Sequence, residues 1–344
     1  MSTKRTIYTL AEELGLAPGT ISKVLNQTGN VSEATRERVL EHIKKVGYVP
    51  TTSARMLKSK KTYSVGIVFT EETDIGLEHS FFSSILQHFK NHLEKEGYEL
   101  SFIVKKLGKH ELSYYEWCMN KRVDGVYIVV GNYNDKGLYE LIESDIPCVS
   151  TDMLLDGLHT VVSDNREGIR ISLEYVSKEL GLKTVAMISG PLWSKAFLER
   201  REAYIEFTDT YGLKRIERAE VEAESFGFTS GYMAVKDMLE KTDVFPECLL
   251  VASDDIALGV LKGLKDNNIT VPDDIQIIGF DDISFAKHFT PPLTTIRQDR
   301  MALGTMAATQ LIRLMEDPDA VVPEVMKLPV KLIRRETTRP KTKE

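Results

Sequence analysis

The sequence predicts two architectures in tandem: a small all-α head, and an α/β body of two doubly wound parallel-sheet lobes. Three observations carry this. Short helical apolar patterns, with no strand signal, fill residues 1–49. From residue 62 on, apolar runs of about five residues alternate with amphipathic stretches, the pattern of parallel strands covered on both faces. The charge is also divided. The whole chain carries 44 Lys+Arg against 51 Asp+Glu, a net charge of -7. Yet residues 1–61 hold eleven basic and five acidic side chains, a balance of +6 that leaves −13 for the rest. A cationic head on an anionic body is the distribution of a polyanion reader.

Length and composition exclude several classes. At 344 residues and 42% hydrophobic content, the chain forms two or three compact units and is no disordered segment. No apolar run reaches the roughly 18–20 residues that span a bilayer. The start, Met-Ser-Thr-Lys-Arg, lacks the apolar stretch of a secretory signal. Cys118, Cys148 and Cys248 lie far apart without CxxC spacing, so neither a disulfide framework nor a zinc site is expected, and a reducing cytoplasm suits them.

In the head, Thr9-Leu10-Ala11-Glu12 reads as a capping box. Leu10, Ala11 and Leu14 face inward and Gly15 ends the helix. Pro18 opens a second helix whose apolar face is Ile21, Val24 and Leu25. Ser32 caps a third, with Val39, Leu40, Ile43 and Val46 inside and Gly47 as its stop. Two short helices joined by a tight turn and backed by a third is the helix-turn-helix plan. Its second helix enters a DNA major groove N-terminus first. That places Pro18, Gly19, Thr20 and Lys23 nearest the bases, Lys23 being the long donor suited to guanine. Ser22, Asn26, Thr35 and the helix N-termini, Thr9 at the first, suit phosphates. The same pattern is compatible with an ordinary three-helix bundle that carries a solvated basic face. Residues 50–61 form a cationic linker too polar to be a stable helix alone. Against DNA it could fold, with Leu57 wedged into the minor groove.

These stretches resemble the head and hinge of the lactose-repressor/galactose-repressor (LacI/GalR) family of bacterial transcription regulators. The matching segments are Thr20-Ile-Ser-Lys-Val-Leu-Asn26, Val31-Ser-Glu-Ala-Thr-Arg36, Gly47-Tyr-Val-Pro50 and Ala54-Arg-Met-Leu57. The resemblance implies a hinge that becomes helical only on operator-bound dimers, with Leu57 as the wedge and Ala54 as its close neighbour. Ala17 stands where the family usually has a Ser cap, a loss on the order of 1 kcal/mol for the recognition helix. The body is family-like too, through Val123-Asp-Gly-Val126, Ile188-Ser-Gly-Pro191, Val271-Pro272-Asp273, Gly279-Phe-Asp-Asp-Ile283, Pro291-Pro-Leu-Thr-Thr-Ile296 and Arg335-Glu-Thr-Thr-Arg-Pro340. The implied fold is the periplasmic-binding-protein-like pair of lobes. The chain would cross between them near residues 163, 292 and 324, so residues 62–163 and 293–324 form the N-terminal lobe, and 164–292 and 325–340 the C-terminal lobe.

In doubly wound folds ligands bind outside the carboxyl ends of the strands. Asp152, Asp254 and Asp281 each follow an expected strand, and Arg200 lies one helical turn before Tyr204. The resemblance marks Arg200 and Asp281 as ligand contacts, and Phe81, Phe82 and Phe226 as cleft aromatics. Ser253 is counted with them, where the family often has Asn. Trp193, directly after the Gly190-Pro191-Leu192 turn, is added as a further aromatic. Phe81, Phe82 and Phe226 could equally be core, and Asp254 could cap its helix. His79-Ser80 replaces a common Asn-Pro, and Ser194 replaces a charged contact of purine-binding members.

The expected protein is a dimeric, operator-binding regulator, most simply a repressor, controlled by a small effector. A neutral sugar leads. A purine- or sugar-phosphate-responsive regulator and a soluble sugar-binding protein are the alternatives. An enzyme is disfavoured, since GxGxxG, GxxxxGK[ST] and GxSxG are all absent. His88 and His92 lack the glutamate of HExxH. No cofactor, metal or membrane partner is expected.

Overall fold

The structure is a computed structural model that describes residues 6–25, 28–48, 61–69 and 76–340. It divides into two compact units, Met1–Thr62 and Tyr63–Glu344.

The first unit contains α1 (Ile7–Leu14), α2 (Pro18–Leu25) and α3 (Glu33–Val46). The capping box of α1 sits one turn earlier than the sequence suggests. The Thr6 hydroxyl accepts from the Thr9 amide, and the Thr9 hydroxyl accepts from the Thr6 amide at 2.8 Å. Two hydroxyls three residues apart satisfy each other's N–H, so Ile7 and Tyr8 join the helix and Glu12 is left to its exposed face. Gly15 (φ 62) and Gly47 (φ 66) end α1 and α3 in the left-handed conformation, which glycine adopts without Cβ strain. Proline at the first position of α2 removes an amide that has no partner there, while the Ala17 carbonyl accepts from Thr20. Leu10, Ala11, Leu14, Ile21, Val24, Val39 and Tyr48 form the core, with Leu25, Ile43 and Val46 half-buried beside it. Leu40, expected inside, is 47% exposed. Two eight-residue helices cover one stripe of α3, and Val39, Ile43 and Val46 occupy it.

The second unit has two lobes. The first carries a six-stranded parallel sheet, in spatial order β14-β7-β6-β5-β1-β2. These are β1 (Ser64–Phe69), β2 (Glu99–Phe102), β5 (Gly125–Val130), β6 (Cys148–Thr151), β7 (His159–Ser163) and β14 (Val325–Leu328); β3 (Lys106–Leu107) and β4 (His110–Glu111) form a small ribbon. Period-two alternation sorts β5 between two helical layers. Tyr127 and Val129 join the layer of α4 (Ser80–Lys95), Tyr127 stacking on Phe89 at 3.8 Å. Val126 and Ile128 join the layer of α5 (Tyr114–Lys121) and α6 (Lys136–Ile142).

The second lobe orders its strands β10-β8-β11-β12-β13-β15, with β9 beside β8. They are β8 (Thr184–Ser189), β9 (Lys214–Arg215), β10 (Val221–Glu222), β11 (Cys248–Val251), β12 (Gln276–Asp281), β13 (Thr294–Arg297) and the antiparallel β15 (Lys331–Ile333). Its helices are α7 (Asn165–Glu174), α8 (Lys195–Thr210), α9 (Phe228–Lys241) and α10 (Asp254–Asp266). The last helix, α11 (Arg300–Glu316), returns to pack on α4 and on β5, β6 and β7.

Two expected crossings therefore move. Thr294–Arg297 lies beside β12 in the second sheet, not in the first lobe, so the second crossing falls at residues 298–299. Val325–Leu328 pairs with β7 in the first sheet, so the third falls at residues 329–330. Buried Thr294 and Thr295 explain the first error. Their hydroxyls bond to Thr338 and Asp254, which lets a polar segment serve as an interior strand.

Candidate functional site

In the head, Gly19 and Lys23 are exposed on α2, with Pro18, Thr20 and Ser22 half-buried. A Cβ on Gly19 would meet no heavy atom within 4 Å, so the fold itself does not demand glycine there. The aliphatic stem of Lys23 lies against Gly29, whose added Cβ would come 3.3 Å from Lys23 Cδ. Thr35 is half-buried and its amide and hydroxyl both meet Ser32. Thr9 spends its hydroxyl on Thr6, as the far half of the capping box. Asn26, Ala54 and Leu57 lie outside the described residues.

In the body, strand order reverses between β1 and β5 and between β8 and β11, the crevices where doubly wound sheets bind ligands. Nine residues converge at the carboxyl ends of these strands, around a cavity of about 20 Å³. That is far below the roughly 300–1,000 Å³ common for ligand sites, so the lobes stand closed on one another here. His79, Phe81, Phe82 and Asp152 come from the first lobe; Phe197, Arg200, Phe226, Ser253 and Asp281 come from the second. A wider hollow beside β10 is lined by Glu222, Glu224 and Asp237 among others. Those carboxylates are exposed or half-buried, so that hollow gathers no buried charge.

Arg200 is the centre of the cleft. Its Nε donates to Asn165 Oδ1 at 2.8 Å and its Nη1 to the Ala252 carbonyl at 2.5 Å. The guanidinium lies 3.7 Å from the ring centroid of Phe280 and 3.8 Å from Asp281 Oδ1. Burial lowers its pKa, and Asp281 and Asp152 oppose that. Asp152 is pushed up to about 6, first by burial, with Arg200 pulling it down. Asp281 is pushed up to about 7, again by burial, while Arg200 and the 2.6 Å bond from Gln298 lower it. Both carboxylates stand on left-handed backbone, at φ 71 and φ 119, a conformation that costs a non-glycine residue about 1–3 kcal/mol and clusters at functional sites.

Seven of the expected effector residues, Phe81, Phe82, Asp152, Arg200, Phe226, Ser253 and Asp281, line this space. Two do not. Asp254 is wholly buried and accepts from Thr295 Oγ1 at 2.6 Å and from the Ile283 amide at 2.9 Å. It pins two strand ends together, and Ser253, not Asp254, caps α10. Trp193 is 43% exposed and stands at the rim, 5.4 Å from the Phe226 ring and 6.4 Å from Tyr133. The residues missed by sequence are His79 and Phe197. Phe197 could have been found three positions before Arg200, on the same helical face.

Residues 6–51 match the bacterial regulatory proteins of the lacI family, and residues 177–338 match the periplasmic binding protein-like domain. The HTH-type transcriptional repressor PurR of Pasteurella multocida is similar throughout, 31% identical over 314 residues, covering 89% of this chain and 90% of its own. The chain belongs to the lacI family of bacterial regulatory proteins. As a lacI-family member it is a DNA-binding transcription regulator, with a helix-turn-helix head and a periplasmic-binding-protein-like body. Its lobes resemble the Lac repressor dimer bound to operator and the anti-inducer ONPF, at 26% identity and a TM-score of 0.84, covering 98% of this chain and 99% of that one. They also resemble the transcriptional regulator CelR in complex with cellobiose, at 26% identity and a TM-score of 0.71, covering 97% and 99%. Among the described residues no helix is long and apolar enough to cross a membrane, and no group of His, Cys, Asp or Glu could hold a metal.

Proposed function

We propose that this lacI-family regulator is a non-catalytic repressor that binds a pseudo-palindromic operator as a homodimer and is switched by a small neutral sugar. The observation that carries the effector reading is the buried Arg200–Asp281 pair facing Asp152 and four phenylalanines across a narrow interlobe cleft. Paired donors and acceptors suit hydroxyls, and aromatic faces suit the C–H surface of a sugar ring. Lys23 and the start of α2 read bases, while Ser22, Asn26, Thr35 and Thr9 hold phosphates. Ala54 and Leu57 belong to a hinge that folds on DNA.

Closing the cleft shifts the lobes and so the hinge. The coupling amounts to roughly 1–3 kcal/mol and is reciprocal, operator altering sugar affinity by the factor with which sugar alters operator affinity. A thermal-shift screen against D-ribose, D-glucose, D-galactose, cellobiose, glucose 6-phosphate and hypoxanthine tests the ligand class. A neutral sugar at a hundredfold excess over its Kd should stabilise the protein by ~2.7 kcal/mol. Stabilisation by the phosphate or the purine alone would overturn the neutral-sugar reading.

A further inference from the structure

His79 belongs to no assigned role, yet its surroundings are specific. It sits at the N-cap position of α4 without capping it. Its side chain is 9% exposed and lines the cleft. The ring packs 4.9 Å from Phe82 and meets Phe226 edge-on at 6.5 Å. Nε2 faces Asp255 Oδ2 at 3.6 Å, beyond a hydrogen bond but within electrostatic reach. Nδ1 is buried and has no hydrogen-bond partner among the described residues.

A buried polar atom without a partner calls for an explanation, and here the geometry supplies one. The carboxylate on one side favours a proton on Nε2, which leaves Nδ1 as a bare lone pair. Burial keeps the ring neutral by lowering its pKa, Asp255 opposing. We propose that His79 is a specificity-determining residue of the cleft, whose Nδ1 accepts a hydrogen bond from a hydroxyl of the bound sugar. The assignment rests on the neutral-sugar reading above and sharpens it. A carboxylate or phosphate oxygen placed at the same point would face a lone pair with no proton between them, so the site discriminates against uronates and sugar phosphates by leaving both acceptors unmatched.

The arrangement also spans the lobes. His79 and Ser80 precede the body of α4 in the first lobe, and Asp255 lies in the first turn of α10 in the second. Asp255 also accepts from Ser80 Oγ at 3.4 Å. The second lobe thus fixes which nitrogen of His79 the ligand meets.

Two measurements on the full-length protein test this. Imidazole ¹⁵N spectra near neutral pH, with His79 assigned by its loss in His79→Gln, should show a neutral ring protonated on Nε2. An Nδ1–H tautomer or an imidazolium would overturn the assignment. Tryptophan-fluorescence titration with D-ribose, D-glucose, D-galactose and cellobiose, and with D-glucuronate and D-galacturonate, reads the consequence. A neutral sugar should bind the wild type and weaken about tenfold or more in His79→Leu. His79→Gln, whose carbonyl can accept the same hydrogen bond, should recover most of that affinity. Equal neutral-sugar binding by wild type and His79→Leu would remove His79 while leaving the cleft intact. Uronates binding more tightly than their parent sugars would reverse the stated selectivity and overturn the proposal. Failure of all neutral sugars on both proteins would sink the sugar reading, and this assignment with it.

Discussion

Gln298 donates from Nε2 to Asp281 Oδ1 at 2.6 Å, tying the second crossing between the lobes to a carboxylate that faces the cleft. A matching tie exists at the first crossing, where Asn165 accepts from Arg200 Nε at 2.8 Å. Whatever pulls on Asp281 or Arg200 therefore pulls on the segments that join the lobes. Gln298→Leu keeps the volume and removes the donor. It should destabilise the body by about 1–3 kcal/mol, because a buried carboxylate loses its partner. Urea unfolding near neutral pH measures this, and a change below about 0.5 kcal/mol would mean that the bond contributes nothing there.

Arg200→Met should be more severe, about 3–5 kcal/mol, since it strands Asp281 and Asp152 in a low-dielectric site. Arg200→Lys should rescue little. An ammonium cannot serve Asn165 and the Ala252 carbonyl at once while lying flat on Phe280. Operator-binding assays with and without effector should show the response lost in both variants. A full response in either would move the ligand away from Arg200.

The raised carboxylates set a pH dependence of definite sign. Asp152 at about 6 and Asp281 at about 7 bind protons more tightly folded than unfolded. Their contribution to stability is therefore fully present below the unfolded value of about 4 and declines as pH rises to about 7. Asp135 and Glu167, whose pKa values are lowered, act oppositely at the acid end. Asp152→Asn and Asp281→Asn should each flatten the decline between about pH 4 and pH 7. Unfolding curves at several pH values read the slope, and an unaltered slope in both variants would contradict the assignment.

In the head, Lys23→Ala should cost about 1–3 kcal/mol on the specific site and relax base preference at one position. Equal losses on specific and random DNA would place Lys23 on a phosphate instead. Gly19→Ala offers a complementary reading, because its Cβ would enter open space. Thermal stability should hold within about 0.5 kcal/mol while operator affinity falls, provided α2 lies close to the base edges. Unchanged affinity would show that the groove leaves room there.

Much of this was legible in the sequence. Period and caps exposed the helices of the head, and the unbroken apolar run of β5 marked a doubly covered strand. What escaped depends on contacts distant along the chain. Thr294 and Thr295 look like loop residues until the tail supplies Thr337 and Thr338, and Asp254 the remaining acceptor. Val325–Leu328 alternates between exposed and half-buried positions, as an edge strand does, and carries too little apolar signal to be seen alone. The same holds for the cleft. Arg200 and Asp281 stand out through the family resemblance, whereas His79 gains its meaning only from Asp255 on the opposite lobe. Asp254 erred the other way, since a carboxylate after a strand end looks alike whether it faces ligand or holds a loop.

The pairing of β7 with β14 bears on how the molecule is made. As the ribosome releases the chain, β7 emerges long before its outer neighbour, with most of the second lobe synthesised in between. Throughout that interval the first sheet presents a bare, hydrogen-bonding margin, the kind of surface that invites wrong strand partners. A nascent chain arrested before Val325 should therefore be far more prone to aggregate than the finished protein.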